Sequence, residues 1–204
     1  MNDPRGSIWR QWDLHCHTPA SFDYQDMSIS NQAIVNNLLG AGITAVAICD
    51  HHTMDVARIT EVKRLAGSQL TVFPGIELRS ELGGGEVVHY IGIFSDDANV
   101  ADLWTRLQGT LKLTATDITA MGGDERVYVP FRKGATLIKE LGGVVTVHAG
   151  KKSNSIERIA NAEEFKQAVK EDMARHFIDI LEIGQANDAT GYKTIVFPGI
   201  GFHC

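Results

Sequence analysis

Residues 31–52 read NQAIVNNLLGAGITAVAICDHH. From Asn31 to Leu39 apolar residues recur at helical spacing, and Gly40 and Gly42 supply a glycine stop. Thr44–Cys49 (TAVAIC) is then a buried strand, with Asp50-His51 at its C-terminal end. A helix, a glycine turn, an apolar strand and then ligand-type side chains form one unit of a parallel α/β fold.

Working outward, the rhythm continues. Trp12–His17 alternates as a strand, and Met54–Leu65 is a helix with Ile59, Val62 and Leu65 on one face. Leu70–Phe73 is a strand ending at Pro74-Gly75; Gly83–Gly85 is a hairpin turn before the strand Val87–Phe94. Asn99–Leu113 is a helix, and 114–134, polar and glycine-containing, reads as a loop with weak structure. Ala135–Leu141 is a helix closed by Gly142-Gly143, followed by the strand Val144–Val147. A helix at Glu163–His176, a strand at Ile178–Ile183 and the strand-like TIVF within Tyr192–Cys204 complete the pattern. Periodicity leaves a TIM-like barrel and an open doubly wound sheet both standing.

The chain has 204 residues, 44% of them hydrophobic and 22% charged, which suits one globular domain with a real core. No repeat or linker divides residues 1–204. The net charge of −6 argues against a sequence-independent polyanion binder, but not against phosphate chemistry in which metal ions bring the positive charge. No apolar run is long enough to span a membrane and no signal peptide is visible, so a cytoplasmic protein is expected. Cys16, Cys49 and Cys204 are odd in number and widely spaced, and read as reduced thiols.

The eight histidines carry the chemistry. His15 and His17, two apart on a strand, face the same way, with Asp13 as a third group on that face. Asp50-His51, Glu77, His89 and His148 stand on or just after other apolar strands. If those strands are parallel, most of their C-terminal ends meet at one rim, where α/β enzymes build their sites. Taken singly each has a plainer explanation: a strand-end histidine is usually a satisfied polar residue, Asp50 would cap the next helix, and Glu77 would be a solvated charge. The joint pattern is what points to a metal site. Histidine and carboxylate donors without a cysteine cluster suit Zn²⁺, Mn²⁺ or Fe²⁺. Cys16 and Cys49 alternate with the ligand positions and face away, and His52, His176 and His203 fall outside the pattern.

The stretches WDLHCHTPASFD, ICDHHT, FPGIELRSE, VVHYIGIF and GGVVTVHAG, in this order, resemble the PHP (polymerase and histidinol phosphatase) superfamily. The opening GSIWRQWDLHCHTP resembles, more loosely, the PHP module that precedes AAA- or SMC-like ATPase domains, some of them in phage defence. The resemblance implies a distorted TIM-like (β/α)7 barrel of PHP type with two or three divalent ions at its C-terminal rim. It implies that His15 and His17 bind a first ion, that Glu77 bridges it to a second completed by His89 and His148, and that His51 with Asp23 binds a third. Asp50 is then a ligand or a partner that orients a ligand. The family's closing Asp-x-His is not found after Ile178–Ile183, where Gly201-Phe202-His203 has glycine in place of aspartate. The expectation is therefore a PHP domain truncated before its last strand and motif, or a degenerate site.

The implied activity is metal-dependent phosphoester hydrolysis, on a small phosphomonoester, a nucleotide or a nucleic-acid end. Glu77 and Asp50 are the catalytic candidates. Arg79, Lys151 and Lys152 are candidates for holding the phosphate, against their plainer role as solubilising charges. Two other classes stay open: a non-catalytic PHP module of a larger ATPase-containing protein, and an amidohydrolase, whose sites also open on His-x-His but would need a metal-bridging Lys after a middle strand.

Overall fold

The structure is a computed structural model, and it describes residues 10–81, 87–149, 154–156, 171–185, 188–196 and 200. The first strands and helices alternate as expected. They are β1 (Gln11–Cys16), α1 (Asn31–Gly40), β2 (Ile43–Ile48), α2 (Val56–Ala66) and β3 (Thr71–Glu81). Then come β4 (Val87–Ile93), α3 (Val100–Leu111), α4 (Ala115–Met121), α5 (Phe131–Glu140), β5 (Val144–Ala149) and β6 (Ile180–Ile183). One sheet runs in the order β1-β2-β3-β4-β5-β6 and curls into a half-barrel with helices outside. Among the described residues no helix is long and apolar enough to cross a membrane.

Not every strand is parallel, in keeping with the hairpin read before Val87. β4 pairs antiparallel with both β3 and β5, whereas β1-β2, β2-β3 and β5-β6 are parallel. The reason is chain length: the connection from Glu81 to Val87 is far too short for a parallel crossover, which needs about a dozen residues or more. The glycines of that connection lie outside the described residues. β3 also does not stop at Pro74-Gly75. Its first half, Thr71–Pro74, pairs with β2 and its second, Gly75–Glu81, with β4. Gly75 is required where the halves join, because a Cβ there would lie 2.6 Å from Cys49 Sγ and 3.1 Å from the Ile48 carbonyl oxygen.

Two further expectations are corrected. Residues 114–134 are not a weak loop: α4 starts at a reciprocal cap between Thr114 and Asp117, a short 3₁₀ turn follows at Asp124–Arg126, and α5 begins at Phe131. The polar face of α4, with no buried residue, hid its helical period. The strand expected at TIVF is not found over its described part, since Tyr192–Val196 is helical, and Phe197 lies outside the described residues. Residues 171–176 are helical, while the start of the helix expected from Glu163 lies outside the described residues.

Strand alternation divides the core. Val46, Ile48, Ile76, Leu78, Val88, Tyr90, Val145 and Val147 face the helices in one large cluster. On the opposite, concave face Ala47, Cys49, Ile91 and Ile93 form a small plug against which Leu14 and Phe73 pack. Glu77, His89 and His148 share the strand parity of Phe73, Ile91 and Thr146, so they stand above this plug towards the rim. Helix α5 is drawn onto the sheet at Gly134, where a Cβ would collide with the Tyr90 hydroxyl. Gly134→Ala should therefore cost about 1–3 kcal/mol of stability by overpacking, despite alanine's better helix propensity, as read by urea unfolding.

Candidate metal centre

β1 delivers two histidines because its register slips. Asp13 pairs with Val46 but Cys16 with Ile48, three residues against two, so one residue is extra. That slip turns Cys16 towards the helix-side cluster. Asp13 is not a third ligand here: its Oδ1 accepts the backbone N–H of His15 at 3.1 Å. Beyond β1 the chain is held by Asp50, which is buried and accepts from Thr18 N at 2.6 Å and Thr18 Oγ1 at 2.7 Å. Burial raises the Asp50 carboxyl to about 6, against those two bonds. Asp50 thus touches the turn after His17 and not the donor atoms below.

Glu77, 1% exposed, is the centre. Its Oε2 lies 2.8 Å from His15 Nε2, 2.9 Å from His17 Nε2 and 3.6 Å from His51 Nε2. Its Oε1 lies 2.6 Å from His89 Nδ1 and 3.7 Å from His148 Nε2. All five histidines singled out in the sequence therefore converge on one carboxylate. His89 does so from near the start of β4, because an antiparallel strand begins at the rim where its parallel neighbours end.

Among the described residues two groups of donor atoms, each mutually within 4.8 Å, have the makings of ion sites: His15, Glu77 and His148, and His17, His51 and Glu77. Glu77 belongs to both. The His-x-His pair is divided between them, although the two Nε2 atoms are only 2.9 Å apart. Asp23 extends the second group, with Oδ2 at 3.4 Å from His51 Nε2 and Oδ1 held by Ser21 Oγ at 2.7 Å. His89 is outside both groups, held between Glu77 and Asn154, whose Nδ2 is 3.1 Å from His89 Nε2.

Glu182 on β6 is a site residue that the sequence reading missed. Both its oxygens lie 3.0 Å from His15 Nδ1, and one is 3.5 Å from His148 Nε2. A glutamate inside the apolar run ILEI was the available signal. His15 thus sits between two carboxylates, so both its nitrogens donate. Burial pulls its pKa down, but the bonds to Glu182 and Glu77 prevail and raise it to about 9. Glu77 is held far below the usual carboxylate range: burial alone would raise it, and the His15, His17 and His89 bonds reverse that. Burial keeps His51 neutral, lowering it to about 4, and lowers His148 as well.

The donor set, imidazole and carboxylate only, fits a divalent metal ion. Among the described residues Cys16 and Cys49 are not in either donor group, and burial pushes Cys16 up to about 12 and Cys49 well above its usual value. An ion at His15 must displace its proton, so affinity should rise with pH up to about 9, and binding should release a proton at pH 7. Glu182→Gln should lessen that release and weaken Mn²⁺ binding about 10–100-fold. Calorimetry in two buffers of different ionisation enthalpy reads both effects.

Arg79, on β3 two residues beyond Glu77, lies beside this cluster with its guanidinium donating to the Asp124 carbonyl oxygen. His52, which falls outside the ligand pattern read in the sequence, is fully buried next to His51, with backbone φ 57°. Lys151, Lys152 and His203 lie outside the described residues.

No protein-family profile matches the chain, and no curated protein matches it. Solved structures do. An inferred metal-dependent phosphoesterase of Bifidobacterium adolescentis is 15% identical with a TM-score of 0.52, over 85% of this chain and 77% of that one. An amidohydrolase of Chromobacterium violaceum, solved with sulfate and without metal, is 12% identical with a TM-score of 0.54, over 83% and 75%. A two-domain protein of Bacteroides vulgatus that contains an inferred PHP-like metal-dependent phosphoesterase is 11% identical with a TM-score of 0.51, over 86% and 48%. These likenesses show a shared fold.

Proposed function

We propose that this chain, which has the fold of PHP-like metal-dependent phosphoesterases, hydrolyses phosphate esters with two or three divalent ions held around Glu77. The observation that carries the reading is one buried carboxylate shared by two separate donor groups. We read the six strands as part of a (β/α)7 barrel of the PHP type.

His15 and His148 would hold one ion with Glu77, and His17 and His51 another, with Asp23 beside His51 for a third. When bound, such ions neutralise phosphate oxygens and bring a water to a pKa of about 7. The chain itself contributes fixed charge and fixed lone pairs. Glu77 stays ionised because three imidazoles hydrogen-bond it, and His51 stays neutral because it is buried. Asp50, through Thr18, holds the turn that carries the His-x-His pair. Arg79 meets the charge of the incoming phosphate, with Lys151 and Lys152 as further candidates. Zn²⁺, Mn²⁺ and Fe²⁺ are the ions to try, and the acidic chain suits a small phosphomonoester or nucleotide better than a long nucleic acid.

The amidohydrolase reading asks for a lysine bridging two ions, whereas the group common to both donor sets here is Glu77. The test is hydrolysis of 4-nitrophenyl phosphate by the purified chain. Turnover is expected with added Mn²⁺ and none after chelation; a chain inert with each of the three metals contradicts the proposal.

A further inference from the structure

Glu182 backs His15 from behind, at Nδ1. His17 is backed instead by a hydroxyl. Ser21 is fully buried, and its Oγ lies 3.1 Å from His17 Nδ1, 3.2 Å from the backbone nitrogen of His51 and 2.7 Å from Asp23 Oδ1. One oxygen therefore touches three of the residues gathered around the second donor group.

The proton positions follow from what each partner can do. A serine hydroxyl has one proton to give and two lone pairs to receive. The His51 N–H only donates, and the Asp23 carboxylate only accepts. The Ser21 proton goes to Asp23, one lone pair takes the His51 N–H, and the other faces His17 Nδ1, which must carry a proton to meet it. All three places on the oxygen are then filled. With its proton on Nδ1, the neutral His17 ring keeps its lone pair at Nε2, the atom 2.9 Å from Glu77 Oε2. A lone pair facing a carboxylate oxygen at that distance is satisfied by a cation bound to both.

Ser21 is itself held in place. Thr18-Pro19-Ala20-Ser21 closes a turn, the Ser21 N–H donating to the Thr18 carbonyl oxygen at 2.9 Å, with proline at the second position, where its fixed φ is favoured. Thr18 is the residue that Asp50 grips. His51 depends on such support: its Nδ1 is buried with no hydrogen-bond partner among the described residues. Its ring is placed through the backbone, by the bridge to Glu77 and by the bond to Ser21.

We propose that Ser21 is the positioning residue of the His17–His51–Glu77 ion place, its one hydroxyl fixing the His17 tautomer, the His51 backbone and the Asp23 carboxylate, while the His15–Glu77–His148 place is set independently by Glu182. The proposal rests on the reading of Glu77 as a ligand common to two ions, and it adds that the two ions answer to different supporting residues. A hydrogen-bond partner behind a ligand is worth about 10–100-fold in metal affinity.

The test is Zn²⁺ titration of the full chain, with bound ions counted by native mass spectrometry. Ser21→Ala should weaken one of two ions about 10–100-fold and leave the other unchanged. Glu182→Gln should weaken the other ion instead, so that the double variant holds both weakly. A serine that merely stabilised the fold would weaken both ions alike. Long-range ¹H–¹⁵N spectra of the Zn²⁺-loaded wild type need no variant: His17 should carry its proton on Nδ1 and bind through Nε2. If Ser21→Ala does not fold, that spectrum decides alone. Two ions that weaken alike or not at all in Ser21→Ala, a double variant that still holds one ion as tightly as the wild type, or a His17 protonated at Nε2 in the loaded wild type overturns the assignment. Failure of the parent reading looks different: both ions bind and one of them answers to Ser21, but no metal brings hydrolysis of 4-nitrophenyl phosphate.

Discussion

Replacing Glu77 by alanine should abolish phosphoester hydrolysis, by roughly a thousandfold or more, and should remove ions from both donor groups at once. The magnitude follows from the transition-state charge stabilisation that ions held by Glu77 would supply, several kcal/mol at about 1.4 kcal/mol per tenfold in rate. The breadth follows from geometry, because the Glu77 carboxylate belongs to both groups. The variant should also change the apparent charge of its neighbours. His15, raised to about 9 with two carboxylates against it, loses one of them and falls. Glu77→Gln separates charge from shape: it keeps the volume among the five imidazoles and should still lose the ions. Metal content by mass spectrometry and turnover of 4-nitrophenyl phosphate check both variants. A Glu77→Ala chain that retains its ions and its rate removes Glu77 from the centre.

The second large effect belongs to Asp50. Its two oxygens accept from Thr18 N and Thr18 Oγ1 inside the protein. Asp50→Ala leaves both donors buried and unpaired, at about 1–3 kcal/mol each. We expect a loss of about 3 kcal/mol in denaturant unfolding and weaker ion binding, because the turn after His17 loses its anchor. Thr18→Val should cost less, and the pair should be non-additive in a double-mutant cycle. The pH dependence has a definite sign. The folded carboxyl, raised by burial to about 6, sits above its unfolded value, so its contribution to stability is present below about pH 4 and lost as pH rises through about 6. The stability gap between wild type and Asp50→Ala should therefore be wider at pH 5 than at pH 7.

Much of this centre is legible in the sequence because strand periodicity and ligand chemistry point the same way. His15, His17, His51, Glu77, His89 and His148 each stand in or just after an apolar run, and the fold carries each of them to one carboxylate. The route is less legible than the destination. His89 arrives on an antiparallel strand, which the hairpin reading of the short Glu81–Val87 connection foretells but the expectation of a shared rim of parallel strand ends leaves out. The division of the His-x-His pair between two groups depends on the register slip in β1, which has no sequence signature beyond the pair itself. Glu182 escaped because a single acidic residue in ILEI reads as strand until its neighbours are known. Helix α4 escaped because it buries nothing and so shows no apolar period.

The most direct measurement is the number of divalent ions bound per chain, counted by native mass spectrometry after Mn²⁺ titration and compared between wild type and Glu77→Gln. The account requires at least two ions on the wild-type chain, both lost together in the variant. A wild-type chain that binds none, or two ions that survive the loss of the Glu77 charge, would contradict it.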